Sequence, residues 1–477
     1  MEFERIRTAF QEIWGYEEFR YPQAEIIQTI LAHKDALVVM PTGGGKSICF
    51  QLPALLQTGI TLVVSPLVAL MENQVQELRD RQLKAATLHS QLPTNRRKQV
   101  LQQLERQTLR LLYLSPETLL SPPVWERLCL PKLQINALIL DEAHCLAQWG
   151  DSFRPAYERL GAVRPSLLEH KPKGTKLAIA AFTATADPRS QQTIQQTLAL
   201  QNPQTIVLNP YRKNLYLNVK IAWSLRGRRE QMKRFIRTQN GQSGLVYVRT
   251  RSDSEKLARW LQHNGFQTAA YHGGLSPEER RSIETQWLRD RLQSVVCTSA
   301  FGMGINKPNV RWIVHFHPPL LLSEYLQEIG RAGRDGKPAT ALTLISEPTG
   351  WLDPGDKQRY QYFRENQRSQ QQQARTLAKQ LPKTGDIREI ARHYPKAPMA
   401  LSLLHRNQQL EWNSPFHYQI LSSRSSNLLT EQSEMQAMQR YWITCQCRWK
   451  FLLQAFGHTT KKDYRCLHCD RCQGKIG

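Results

Sequence analysis

Through about residue 346 the chain alternates short apolar runs with longer polar stretches of helical period. ALVVM (36–40), TLVVSP (61–66), LLYLSP (111–116), ALILDEAH (137–144) and LAIAAFTATA (177–186) are largely unbroken in Val, Leu, Ile and Ala. Unbroken apolar strands are buried on both faces, as in a parallel sheet covered by helices on either side. A second series follows: GLVYVRT (244–250), TAAYHGG (268–274), SVVCTSA (294–300), VRWIVHFHPP (310–319) and ALTLIS (341–346). The pattern predicts an α/β protein with two parallel-sheet units in tandem, parted near 205–215 where QNPQTIVLNPYRKN breaks the rhythm with Pro and Asn.

Beyond about residue 350 the alternation stops. The Gln-rich stretch ENQRSQQQQARTLAKQ predicts a solvated helix or linker running to Pro382. GDIREIARHYPKAPMALSLLHRNQQLEWNSPFHYQIL then reads as helix, turn, helix and two strands. Ile387, Ile390 and Ala391 line one helix, and Ala400, Leu401, Leu403 and Leu404 the next; the turn Asn413–Pro415 joins the strands. That is a winged-helix pattern, with His405 and Arg406 as its candidate DNA contacts. The expected order is lobe 1 (1–208), lobe 2 (209–346), linker (347–383), winged-helix-like unit (384–422) and a cysteine-rich module (423–477).

Lys and Arg number 64 against 40 Asp and Glu, a net charge of +24 that points to a polyanionic partner. No apolar stretch reaches the roughly 18 residues a membrane span needs, and the N-terminus has no signal-like apolar segment. Nine cysteines, several isolated in apolar strands, suit a reducing cytoplasm better than a disulfide framework.

Three segments carry chemistry. After the first strand, Pro41-Thr42-Gly43-Gly44-Gly45-Lys46-Ser47 can wrap backbone N–H groups around phosphate oxygens at a helix N-terminus. Lys46 reaches the outer phosphates of ATP, and Ser47 can ligate magnesium. Met40 stands where the strict phosphate-loop pattern has Gly. Asp141 and Glu142 end a buried strand, a costly place for carboxylates without a task. Asp141 can hold magnesium while Glu142 polarises the attacking water. In LQEIGRAGRDG, Gln327, Arg331 and Arg334 recur at helical spacing and are expected on one face, where the arginines can neutralise charge on a γ-phosphate.

The last 33 residues hold a different kind of site. Cys466, Cys469 and Cys472 form two successive C-x-x-C loops, and Cys447 lies upstream. Four thiolates on a short segment suit tetrahedral zinc. Cys445 is an alternative fourth ligand and His468 a further candidate.

In order, PTGGGKS, SPLVALMENQV (65–75), LLYLSPE, DEAHC, AFTATA, YHGGLSPEERR, TSAFGMGINKPNVRWIVHFHPP and QEIGRAGRDG resemble the motifs of superfamily 2 helicases, and more narrowly the RecQ family of DNA helicases. The resemblance covers about residues 10–346 and returns at the C-terminal cysteines. It implies two RecA-like lobes and a RecQ-type zinc module. It implies 3′-to-5′ translocation on single-stranded DNA with duplex unwinding in repair and recombination. A single-strand-dependent translocase or annealing factor is the alternative, since the chain ends soon after the cysteines. By the same resemblance Gln23, in Phe19-Arg20-x-x-Gln23, reads adenine. Trp149, Phe153, Arg154 and Tyr157 form an aromatic-rich loop that senses single strands. His144 belongs with these DNA-responsive residues and, with Thr183 and Thr185, relays between nucleotide and lobe. Arg249 and Arg251 add phosphate contacts. Asn306 stands where the family usually has Asp. Forked and junction DNA, with single-strand-binding or repair proteins, complete the expected partners.

Overall fold

A computed structural model describes residues 3–147, 154–301, 307–347, 349–421 and 430–474. The chain divides into two compact units. One comprises the residues through Leu208 together with those from Gln367 to Leu421, and the other Asn209–Asn366 together with the described segment from 430 onward.

In the first unit β1 (Ala36–Val39), β2 (Ile60–Val64), β3 (Ala85–Leu88), β4 (Leu111–Leu114), β5 (Ile135–Leu140), β6 (Ala178–Thr183) and β7 (Gln204–Val207) form one sheet in the order β3-β4-β2-β5-β6-β1-β7. Every pairing in it is parallel. Both faces are covered. Leu37 and Val39 enter one apolar cluster while Ala36 and Val38 enter the other, so each strand feeds two layers and reads as continuously apolar.

The second unit repeats the design with β8 (Leu215–Ala222), β9 (Gly244–Tyr247), β10 (Thr268–Tyr271), β11 (Ser294–Cys297), β12 (Trp312–His315) and β13 (Ala339–Ser346), in the order β10-β11-β9-β12-β13-β8. Gly244 is required by close approach: a Cβ there would lie 2.0 Å from the Trp312 indole. The cysteine-rich segment packs into one core of this same unit, where Trp449 and Leu452 join Leu215 and Leu217.

The Gln-rich stretch is a helix, Gly355–Ala378, of 24 residues. After it come β14 (Thr384–Asp386), helices Ile387–His393 and Ala397–Arg406, and the hairpin β15 (Leu410–Trp412) and β16 (His417–Ile420). The three strands make an antiparallel sheet in the order β14-β16-β15, the strand–helix–helix–hairpin arrangement of a winged helix.

Candidate nucleotide and zinc sites

The glycine-rich loop follows β1 directly. Gly43 and Gly45 take left-handed backbone angles, φ 85° and 80°, which side chains disfavour. The turn they make starts the helix Lys46–Leu56, so its free N–H groups open toward the loop. Half-buried Thr42 and Gly44 complete the loop. Lys46 Nζ donates to the Met40 carbonyl at 3.1 Å, which holds the ammonium at the loop mouth.

The carboxylates arrive on the neighbouring strand end. Asp141 N–H donates to Val64 O at 2.9 Å, extending the ladder between β5 and β2. Burial and the adjacent Glu142 push the Asp141 carboxyl up to about 6, against the pull of Lys46. Gln74, on the helix Val68–Asp80, donates to Ser47 Oγ at 3.3 Å and to Asp141 Oδ2 at 3.4 Å. One amide thus ties together the two oxygens expected to hold magnesium. Glu142 sits at φ 53° before the short helix Ala143–Leu146. Its Oε2 lies 3.2 Å from His144 Nδ1, and Thr183 Oγ1 at the end of β6 lies 3.4 Å from the same nitrogen. Burial lowers the His144 pKa, but Cys145 and Glu142 outweigh it and hold the ring up at about 10. Lys46, Ser47, Gln74, Asp141 and Glu142 therefore converge at the carboxyl ends of parallel strands, where open α/β sheets bind ligands.

Several expected roles meet different geometry. Gln23 was expected to read adenine, but both ends of its amide are engaged by the chain. Its Oε1 accepts from Arg20 N–H at 2.9 Å, and its Nε2 donates to the Gly44 and Gly45 carbonyls at 3.3 Å each. Gln23 braces the phosphate loop here. His144 is buried on Glu142 and offers no surface to DNA. Tyr157 is 1 % exposed inside the lobe core, so its ring has no face free for a base. Arg154 is partly exposed and 3.3 Å from Glu117. Trp149, Phe153 and Asn306 lie outside the described residues.

In the second unit the helix carrying Gln327, Leu322–Ile329, ends before Arg331 and Arg334, so the three do not share one helix face. Arg331 is buried, its charge drawing down the pKa of the nearby Tyr247 phenol against burial, whereas half-buried Arg334 donates from Nε to Gly330 O at 3.5 Å. Arg249 is held between Glu324 and Glu328 at 3.5 and 3.6 Å and donates to Pro318 O, which occupies it away from phosphate. Arg251 is exposed, its guanidinium lying against Gly274. His405 and Arg406, expected on DNA, are spent on Glu158 of lobe 1.

The sulfur atoms of Cys447, Cys466, Cys469 and Cys472 all lie within 4.8 Å of one another. Zinc–sulfur bonds of about 2.3 Å in a tetrahedron place sulfurs roughly 3.8 Å apart, so the set fits the ion. The Cys466–Cys472 separation is 3.9 Å. Cys445 is exposed and outside the cluster, and His468 is directed at Tyr211 and Tyr216 instead. Cys447 caps the helix Arg448–Ala455. The adjacent Cys466 and Cys469 groups pull its thiol well below the ordinary cysteine value. The backbone N–H groups of Cys466 and Arg448 donate to the sulfurs of Cys447 and Cys469 at 3.3 and 3.4 Å. Buried Arg448 pairs with Asp470 at 2.9 Å. Asp470 in turn accepts from Val219 N–H at 3.1 Å and donates its own N–H to Leu217 O at 3.0 Å, docking the module on β8.

Gln74, Glu158, Arg448 and Asp470 were not expected. Gln74 lay within a quoted segment and Asp470 between two ligand cysteines, but only their partners reveal what they do.

Family models match along the chain in order: DEAD/DEAH box helicase over residues 20–194, helicase conserved C-terminal domain over 227–336, and RecQ zinc-binding over 413–473. The ATP-dependent DNA helicase RecQ of Synechocystis is 53 % identical over 98 % of this chain and 98 % of its own length. The enzyme of that name from Pasteurella multocida is 41 % identical over 71 % of this chain, and the chain spans 52 % of it. Among solved structures, the DEAD-box helicase Mss116 bound to ssRNA superposes with TM-score 0.59 at 19 % identity, covering 72 % of this chain and 73 % of that one. The helicase MrfA bound to DNA gives 0.59 at 20 % identity over 72 % of this chain and 51 % of its own. At such identities these two show the fold.

Proposed function

The chain belongs to the RecQ family of ATP-dependent DNA helicases, and from that premise we propose that it couples ATP hydrolysis to 3′-to-5′ movement along single-stranded DNA and to separation of the duplex ahead, in repair and recombination. The observation that carries this reading is the convergence of Lys46, Ser47, Gln74, Asp141 and Glu142 at the strand ends of one sheet.

In this scheme the loop Thr42–Ser47 cradles the phosphates, and Ser47 with Asp141 would hold Mg2+. The ion supplies charge neutralisation on the outer phosphates. Glu142, steadied by His144, orients and polarises the attacking water. Arg331 and Arg334 are assigned to neutralising charge on the γ-phosphate during turnover. Gln23 acts through the loop carbonyls it already holds. Arg251 and Arg154, the exposed and partly exposed members of the expected set, are assigned to DNA phosphates. Zinc would be held by Cys447, Cys466, Cys469 and Cys472, and with four protein thiolates as its ligands its role would be structural.

The deciding experiment is strand separation with ATP and Mg2+ on duplexes carrying a 3′ or a 5′ single-stranded tail. The 3′-tailed substrate should be unwound and the 5′-tailed one left intact. ATP turnover stimulated by single strands, without strand separation, would replace this reading with that of a translocase.

A further inference from the structure

Glu158 has no exposed side-chain area, and both its oxygens are taken by the winged-helix-like unit. Arg406 Nε donates to Oε1 at 2.6 Å, and His405 Nδ1 lies 2.9 Å from Oε2. A second arm of the Arg406 guanidinium, Nη2, donates to the Leu146 carbonyl. More contacts seat the same unit on the same stretch of lobe 1. Arg159 Nη1 donates to Pro415 O at 3.2 Å, and Ser402 Oγ to Pro155 O at 3.3 Å. Phe416 meets Trp125 edge-on at 5.2 Å and is buried in the lobe core.

Leu146 matters because of what precedes it. It is the last residue of the short helix Ala143–Leu146, which bears His144 and follows Glu142 directly. Arg406 therefore links the Glu158 carboxylate to the Leu146 carbonyl with one side chain, and Leu146 closes the turn that carries Glu142 and His144. A planar guanidinium can hold a carboxylate and a carbonyl at once in fixed directions, whereas a lysine ammonium on its flexible stem cannot reproduce that fork.

We propose that Arg406, seated on Glu158 with His405, is a positioning residue for the Asp141–Glu142–His144 turn, and that the winged-helix-like unit serves ATP hydrolysis as a brace on lobe 1. The helix Ala397–Arg406 is where a helix-turn-helix usually reads bases. Here Ser402 and the last two residues of that helix face lobe 1, so this helix is engaged with protein. The inference rests on the ATPase reading above, and the two can fail separately.

The test is steady-state ATP hydrolysis by the full chain at saturating single-stranded DNA, comparing wild type with Arg406→Lys and Glu158→Gln. Melting temperature and single-strand affinity are measured alongside. Absence of turnover in the wild type would defeat the functional reading itself. With an active wild type, Arg406→Lys should keep its fold and its affinity for DNA. Its KM for ATP should stay within about twofold, while kcat falls about tenfold, the scale of a slightly misplaced catalytic group. Wild-type kcat in a well-folded Arg406→Lys protein overturns the proposal. Loss of DNA affinity with kcat retained at saturation also overturns it, and returns the unit to DNA reading. Should Arg406→Lys melt lower, Glu158→Gln decides, because it removes the buried charge that needs a cation. Unchanged kcat there overturns the proposal, and a tenfold loss at unchanged KM supports it.

Discussion

Gln74 touches both oxygens expected at the metal, so its amide sets their spacing. Gln74→Ala should raise the Mg2+ concentration for half-maximal ATP turnover by roughly tenfold, as loss of groups that orient metal ligands commonly does. A magnesium titration of ATPase activity checks it, and an unchanged midpoint would free Gln74 of the role. Lys46→Ala should cut ATP turnover by about a hundredfold or more while single-strand affinity stays near wild type. Joint loss of both in fluorescence anisotropy and ATPase assays would place Lys46 in the fold or the DNA site. At this scale the sequence was legible where a motif fixes chemistry by order and spacing, as for the four cysteines gathered within 4.8 Å of one another. It is silent where chemistry depends on who stands opposite. Arg249 reads as a free cation until Glu324 and Glu328 are seen around it. Tyr157 reads as a stacking ring until it is found in the core.

At the scale of elements, the described strands of the two parallel sheets that escaped the apolar pattern are β3, β7 and β8, and all three are sheet edges. An edge strand has one neighbour and a partly wet face, so it need not be continuously apolar; β8 buries only Leu215, Leu217 and Ala222 along LYLNVKIA. The end of the helix at Ile329 also went unread, because Gly330 and Gly333 punctuate a segment whose charges alone suggest continuation. The helix Gly355–Ala378 starts on an anchor that composition did not announce. Asp356 accepts from buried Arg228 at 2.9 Å and from Ser346 N–H at 2.6 Å. Burial alone would raise the Asp356 pKa, but Arg228 outweighs it and holds the carboxyl at about 2, below the ordinary 3.8. A depressed carboxyl stabilises the fold above its unfolded pKa and loses that contribution as pH falls through the folded one. The anchor should thus contribute about 2 kcal/mol above pH ~4. Denaturant melts of wild type and Asp356→Asn should show a gap that narrows as pH drops from 4 toward 2, and a constant gap would remove Asp356 as its source.

Across the whole molecule, the sequence order of segments differs from their grouping. The stretch after Gln367 closes with the first unit, and the cysteine segment from 430 onward closes with the second. Periodicity reports local structure and carries no signal for contacts this distant in the chain, so pairs such as Glu158 with Arg406 or Leu217 with Asp470 could only be seen in three dimensions. The position of the cysteine module has a consequence for how the protein behaves in company. It lies over β8, whose other side has no sheet partner among the described residues. Asp470 uses up a carbonyl and an N–H of that strand, and the Trp449 indole takes the Leu215 carbonyl. Bare strand edges recruit strands from other molecules. Zinc held by those thiolates would then guard against self-association as much as it stabilises the fold. Stripping the ion with a strong chelator, or Cys469→Ser, should give concentration-dependent light scattering before the bulk of the helical signal is lost. Cooperative unfolding with no rise in scattering would mean that β8 stays covered without the metal. A cell short of zinc would, on this account, face the protein as a clumping hazard before it missed a helicase.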